Sequence, residues 1–183
     1  MKNGRTRTLS ILIENDPGVL LRIISLITRR RFDLQTITIG NCENRNYRRL
    51  IICLKDEQQG SDQSTLQLLK QLKKLINIID VTDISYLPAL ERELILIKLQ
   101  VTNEERQEIL KLATIHKFNT IDITPTTISL EIIGDSLKIQ TIEIILRNFE
   151  VLESIRTGKI ALTQESSFHL NTVLAGPDEN KLL

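Results

Sequence analysis

The order strand–helix–strand–strand–helix–strand runs twice in succession along these 183 residues, and that repetition limits the fold more than any single motif does. In the first copy "TLSILIE" (8–14) alternates with the period of a strand. Residues 17–31, "PGVLLRIISLITRRR", put Leu20, Ile23, Ile24 and Ile27 at helical spacing. "LQTITIGNC" (34–42) alternates again, "NRN" (44–46) is a turn, and "YRRLIICLK" (47–55) returns as its hairpin partner. "SDQSTLQLLKQLKKLINI" reads as a helix capped by Ser61 or Asp62, with Leu66, Leu69, Leu72 and Ile76 as the inward stripe. "IIDVTDISYL" (78–87) closes the unit.

Pro88 punctuates the chain and the order starts over. "RELILIKLQV" (92–101) is a strand, and residues 102–117 a helix opened by Thr102 or Asn103, with Glu104 and Glu105 in its first turn. Two strands flank Pro125, residues 135–149 form a helix capped by Asp135 or Ser136, and 151–163 supply the last strand or bent strand pair. The expected fold is α+β: two tandem ferredoxin-like β-α-β-β-α-β sandwiches, spanning 1–87 and 88–165, with a mobile tail over 166–183. Each sandwich lays its helices on one face of an antiparallel sheet. "TISLEIIG" and "LILIKLQV" are apolar on both faces in places, which one-sided burial does not explain but packing against another subunit does. Pairing of edge strands gives a homodimer.

Composition removes several function classes. The net charge of +1 provides no field for nucleic acid or an anionic membrane, and 3 % aromatics with no Trp leaves little to stack on bases. No apolar stretch is long and uncharged enough to span a bilayer. Cys42 and Cys53, eleven apart on expected neighbouring strands, with His116 and His169, lack the clustering of metal ligands, so they read as small thiols in a reducing compartment. "MKNGRTRT" runs into a strand with no leader pattern, so the chain is expected to work where it is made. The isoleucine-rich composition suits an AT-rich genome, and the expected locations are the plastid stroma or a bacterial cytoplasm. No nucleophile–base pair or carboxylate pair has a recognisable catalytic spacing, so no catalytic residues are assigned.

The stretch "IENDPGVLLRI" (13–23) joins strand to helix. Asp16 is a good N-cap, Pro17 suits the first helical position, and Gly18 leaves the first turn bare. That is a clean helix start. The sharper alternative is a seat for a small anion, because the amides of Gly18, Val19 and Leu20 point out at the positive end of a helix dipole. No Lys follows and Asp16 adds negative charge, so a zwitterion suits this place better than a polyphosphate.

"TLSILIENDPGVLLRIISLITRRRFDLQTITIG" resembles the N-terminal ACT domain of the regulatory (small) subunit of acetolactate synthase, also called acetohydroxyacid synthase. The likeness continues through "YRRLIICL", "LLKQLKKLINIIDVTDI", "LERELILIKLQV", "TIDITPTTISLEIIG" and "VLESIRTGKIALTQ", covering about residues 6–165. The resemblance implies a subunit without catalytic residues or cofactor of its own. It would bind a large catalytic subunit that carries thiamine diphosphate, Mg and FAD, activate it, and confer feedback inhibition by a branched-chain amino acid, usually valine. It further implies an effector site at an ACT–ACT dimer interface. That site would use Asn15, Asp16, Pro17, Gly18 and Val19, facing Asp33 and Leu34 of the partner subunit, with Leu20 and Ile37 as walls.

Two departures from the family pattern bear on that site. The family reads Arg-Gly-(Tyr/Phe)-Asn-Ile before the second strand, whereas this chain reads Arg30-Arg31-Phe32-Asp33-Leu34. Arg31 must hold a left-handed turn at about 1 kcal/mol or straighten it, and Asp33 brings a carboxylate where the family has an amide. The run Arg29-Arg30-Arg31 reads as a solvated helix end that complements the dipole. The competing functions are an RNA-binding protein on the same sandwich and a stand-alone ferredoxin-like enzyme.

Overall fold

The computed structural model describes residues 6–42, 44–55 and 62–164. They form two compact units, one holding the described residues through Leu90 and again from Ala161, the other Glu91–Ile160. The expected cap Ser61 and the expected tail lie outside the described residues.

The first unit is built from β1 (Thr6–Glu14), α1 (Pro17–Arg29), β2 (Asp33–Asn41), β3 (Tyr47–Lys55), α2 (Asp62–Leu72) and β4 (Ile78–Asp83). The sheet order is β2-β3-β1-β4 with every neighbour antiparallel, the ferredoxin-like arrangement. Alternation along β1 sends Leu9, Ile11 and Ile13 to the helix side, where they meet Leu50, Ile52 and Leu54 of β3. The opposite side of this sheet is covered as well. Thr8, Ser10 and Leu12 are buried there, and Ile51 joins Ile84 and Ala161 in a small apolar cluster.

Both helices of this unit bury a stripe rotated from the expected one. In α1 the buried residues are Val19, Ile23 and Ile27, with Leu20 only partly covered. In α2 they are Thr65, Leu68 and Leu72, while Leu66 and Ile76, expected to face inward, are 54 % and 79 % exposed. The cause is that α2 carries leucines on several sides, so spacing alone does not choose the face. The helix also stops at Leu72, and Ile76 falls in the turn before Asn77, whose φ of 72° reverses the chain into β4.

Arg31 takes the left-handed conformation, φ 59°. Its N–H bonds the Thr28 carbonyl at 2.9 Å and the Phe32 N–H reaches Ile27 at 3.3 Å, a Schellman closure of α1 with an arginine in the place that favours glycine. Arg31→Gly therefore raises the unfolding free energy by roughly 0.5–1 kcal/mol, the relieved strain exceeding the entropy glycine adds to the unfolded chain. Urea titration of the two proteins measures it.

The second unit repeats the order with β5 (Ala89–Gln100), α3 (Asn103–His116), β6 (Asn119–Ile123), β7 (Thr127–Gly134), α4 (Ser136–Leu146) and β8 (Glu150–Arg156), in sheet order β6-β7-β5-β8. A short β9 (Ile160–Thr163) pairs with β5 off this path. Thr102 and Glu105 close a capping box on α3, and the Thr102 N–H holds the Glu105 carboxyl below the usual carboxylate range. Asp135 caps α4 through the Lys138 N–H at 2.8 Å. The core joins Ile95, Ile97 and Leu99 to Ile109, Ile139, Ile142 and Leu146. Every residue of β8 is exposed.

Candidate effector-binding site

Where β1 ends, the chain turns through Asn15 and Asp16 into α1. The Asn15 N–H bonds the Asn46 carbonyl at 2.8 Å, which ties this turn to the β2–β3 hairpin. Asp16 adopts the extended backbone of an N-cap, and its Oδ1 accepts the Gly18 N–H at 2.7 Å. The Val19 N–H lies 3.3 Å from the Asp16 carbonyl. Two of the three amides expected to be bare are thus already partnered by Asp16. An incoming acid group at Gly18 has to exchange with the Asp16 carboxylate rather than enter an empty seat.

The other Asp16 oxygen accepts from Asn77 Nδ2 at 3.2 Å, and the same amide reaches Glu14 at 2.8 Å. Asn77 therefore holds the far side of the Asp16 carboxylate while its near side caps Gly18. Beside this turn lies an open polar cavity of about 520 Å³ lined by Glu14, Asn15, Asp16, Arg45, Asn46, Tyr47 and Asn77. On the helix side, a Cβ at Gly18 would stand 3.3 Å from Asp16 Oδ1 and 3.7 Å from Arg22 Nη2. The bare glycine thus lies under an arginine one turn up the helix, where cation and amide can share a carboxylate.

Asn15, Asp16, Pro17, Gly18, Val19 and Leu20 come together at this mouth; Asp33 and Leu34 do not. They begin β2 at the far end of α1, whose thirteen residues rise roughly 20 Å. Register agrees: Asp33 and Thr6 both pair with Lys55, whereas Glu14 pairs with Tyr47 at the opposite end. Asp33 accepts from Gln35 Nε2 at 2.6 Å, and Leu34 and Ile37 pack against the core.

Arg22, Asn46, Tyr47 and Asn77 were not among the sequence candidates. Arg22 stands four positions after Gly18, so helical spacing alone brings it over the glycine. Asn77 comes from 63 residues beyond Glu14 and becomes visible only once the sheet is assembled. Cys42 and Cys53 are both free thiols, and Cys53 pairs in register with Thr36, so the two are not cross-strand neighbours. Among the described residues no cluster of His, Cys, Asp and Glu could hold a metal, and no helix is long and apolar enough to cross a membrane.

Residues 9–80 match the model of the AHAS small subunit-like ACT domain, and residues 92–165 that of the small subunit of acetolactate synthase. A probable acetolactate synthase small subunit of Methanothermobacter thermautotrophicus is 37 % identical over 162 residues, covering 88 % of this chain and 94 % of that one. The chain belongs to the acetolactate synthase small-subunit family. The crystal structure of the acetolactate synthase small subunit of Thermotoga maritima is similar, with a TM-score of 0.79 and 34 % identity over 88 % of this chain and 98 % of that one. The chloroplastic small subunit 2 of Arabidopsis thaliana is 35 % identical over 162 residues, and there the match spans a third of the relative's length. The two sandwiches are therefore those of an acetolactate synthase small subunit, and the α1 mouth lies within its ACT domain.

Proposed function

We propose that this small subunit is regulatory: it binds the thiamine-diphosphate-dependent large subunit of acetolactate synthase, raises its activity, and lets a branched-chain amino acid, valine foremost, lower it again. The amino acid settles where two ACT domains meet. Its carboxylate takes the place of Asp16 on the Gly18 amide under Arg22, and its ammonium lies near Asn15 and the displaced Asp16. The partner's Asp33 and Leu34 close the seat, and Leu20 and Ile37 wall its aliphatic end.

The observation that carries this reading is the separation of the two halves of the site by the length of one helix. A seat that uses both the Gly18 turn and Asp33 closes only between two copies. Occupancy then bears on the dimer, which gives the effector unequal affinity for the two states of the assembly, as any allosteric effect requires. What weighs against the RNA-binding reading is the far side of β1 and β3, which carries Thr8, Ser10, Leu12, Ile51 and Cys53 in buried positions rather than exposed aromatics.

Reconstitution tests the proposal. The purified chain alone condenses no pyruvate, its addition speeds a cognate large subunit several-fold, and valine reverses part of that gain. A large subunit that neither binds nor responds to the chain contradicts the reading.

A further inference from the structure

The net charge of +1 hides a division along the chain. Residues 1–90 hold fourteen Lys and Arg against nine Asp and Glu, whereas residues 91–183 hold ten against fourteen. In the first unit part of the positive excess collects where the end of α1 meets the last turn of α2. Arg29, Arg30 and Arg31 are all exposed at the close of α1. Arg30 Nε donates to Gln71 Oε1 at 3.0 Å, and this bond sets the arginine run beside Lys70 and Lys74, which flank Gln71 and are exposed as well. Among the described residues none of these five cations forms an ion pair; the neighbouring Lys73 turns instead to Asp80.

Solvation accounts for cations at helix C-termini, where they complement the dipole. It does not account for Arg31. That residue closes α1 in the left-handed region, φ 59°, where glycine would sit without strain and where the family has glycine. A non-glycine residue held in a strained conformation on the surface points to a use for its side chain. Five like charges on two adjoining helix ends also repel one another, and an opposing acidic surface turns that repulsion into attraction.

We propose, on the reading above that the chain binds the large subunit, that this patch is where an acidic face of that subunit docks. The patch lies a helix length, roughly 20 Å, from the Gly18 turn of its own protomer, so docking leaves that turn uncovered. Asp33, which the same reading places against the effector of the opposite copy, follows Arg31 by two residues. Effector seat and docking surface therefore adjoin, which gives the amino acid a short route to the large subunit. An acidic protein surface suits the patch better than a nucleic acid does. Phe32, the aromatic that follows the arginine run, packs against the core and offers a base no face to stack on.

Association kinetics of the full-length chain with its cognate large subunit, at low and at high salt, test the patch. Arg31→Gly, which stabilises the fold, slows association about 3-fold, and a purely structural role cannot give those opposite signs. Replacing Arg29, Lys70 and Lys74 together by glutamine slows association about 10-fold, flattens the salt dependence and changes dissociation by less than about 2-fold. Arg29→Lys behaves as wild type. Circular dichroism reports whether the triple variant folds, and Arg31→Gly carries the test if it does not. If the folded variants associate as fast as wild type, the patch is overturned while the binding reading stands; a wild-type chain that neither binds nor activates the large subunit overturns both. Oligouridine and phosphatidylserine vesicles serve as competing anions. A triple variant that loses either of them, yet keeps the large subunit, also overturns the patch.

Discussion

Replacing Glu93 by alanine lowers the stability of the Glu91–Ile160 unit by about 3 kcal/mol, the low end of what losing one partner of a buried ion pair costs. The Glu93 carboxylate is 4 % exposed on β5, where Ser136 Oγ at the start of α4 donates to one oxygen at 2.5 Å. Arg156 of β8 donates to the other through Nε and Nη2, and its Nη1 lies 3.6 Å from Glu143. One acid thus joins the edge strand to the central strand and to the mouth of a helix. Arg156 keeps a third of its side chain in water, so it rehydrates when the acid is gone, and this holds the loss to the low end. Glu93→Gln leaves an acceptor for Ser136 and costs about half as much. Urea unfolding followed by amide exchange in β5 and α4 measures both. A loss below about 1 kcal/mol for Glu93→Ala would mean the cluster behaves as a surface pair.

Gly18→Asp removes valine binding while leaving the fold and the activation of the large subunit intact. The new side chain starts 3.3 Å from Asp16 Oδ1 and 3.7 Å from Arg22 Nη2, so its carboxylate fills the seat and engages the cation over it. Losing one charge-assisted bond and gaining a like charge costs the ligand about 3 kcal/mol, roughly 100-fold in affinity. The tight contact with Asp16 Oδ1 costs the helix start a little, and an acidic residue in the first turn complements the dipole and offsets part of it, so the fold holds. Calorimetry with valine, beside inhibition of the reconstituted enzyme, reads the two effects separately. A variant that stays fully valine-sensitive would place the amino acid elsewhere.

The element order, the ferredoxin-like topology of both units and the cap Asp16 were legible from the sequence, and the caps of α3 and α4 were narrowed to two neighbours each, of which Thr102 and Asp135 serve, because alternation, helical spacing and capping residues are local signals. The buried faces of α1 and α2 were less so. With Val19 beside Leu20, and Leu66 beside Leu68 and Leu69, the apolar pattern fits more than one rotation, and only the sheet beneath selects one. Arg31 illustrates a related limit: the missing glycine raised two possibilities, and the Phe32-to-Ile27 closure chose the strained turn. The helix start at Pro17 with Asp16 as its cap was legible, but the sequence did not weigh that the cap itself takes the Gly18 amide offered to an anion, since one residue type serves both cap and seat. The contacts of Asn77 depend on strands far apart in the chain.

The most direct measurement is a crystal structure of the full chain grown with valine. The account predicts two copies joined along β2, each valine carboxylate on the Gly18 amide of one protomer and within reach of Asp33 of the partner subunit. Valine bound away from Gly18, or copies joined through another edge, would contradict it.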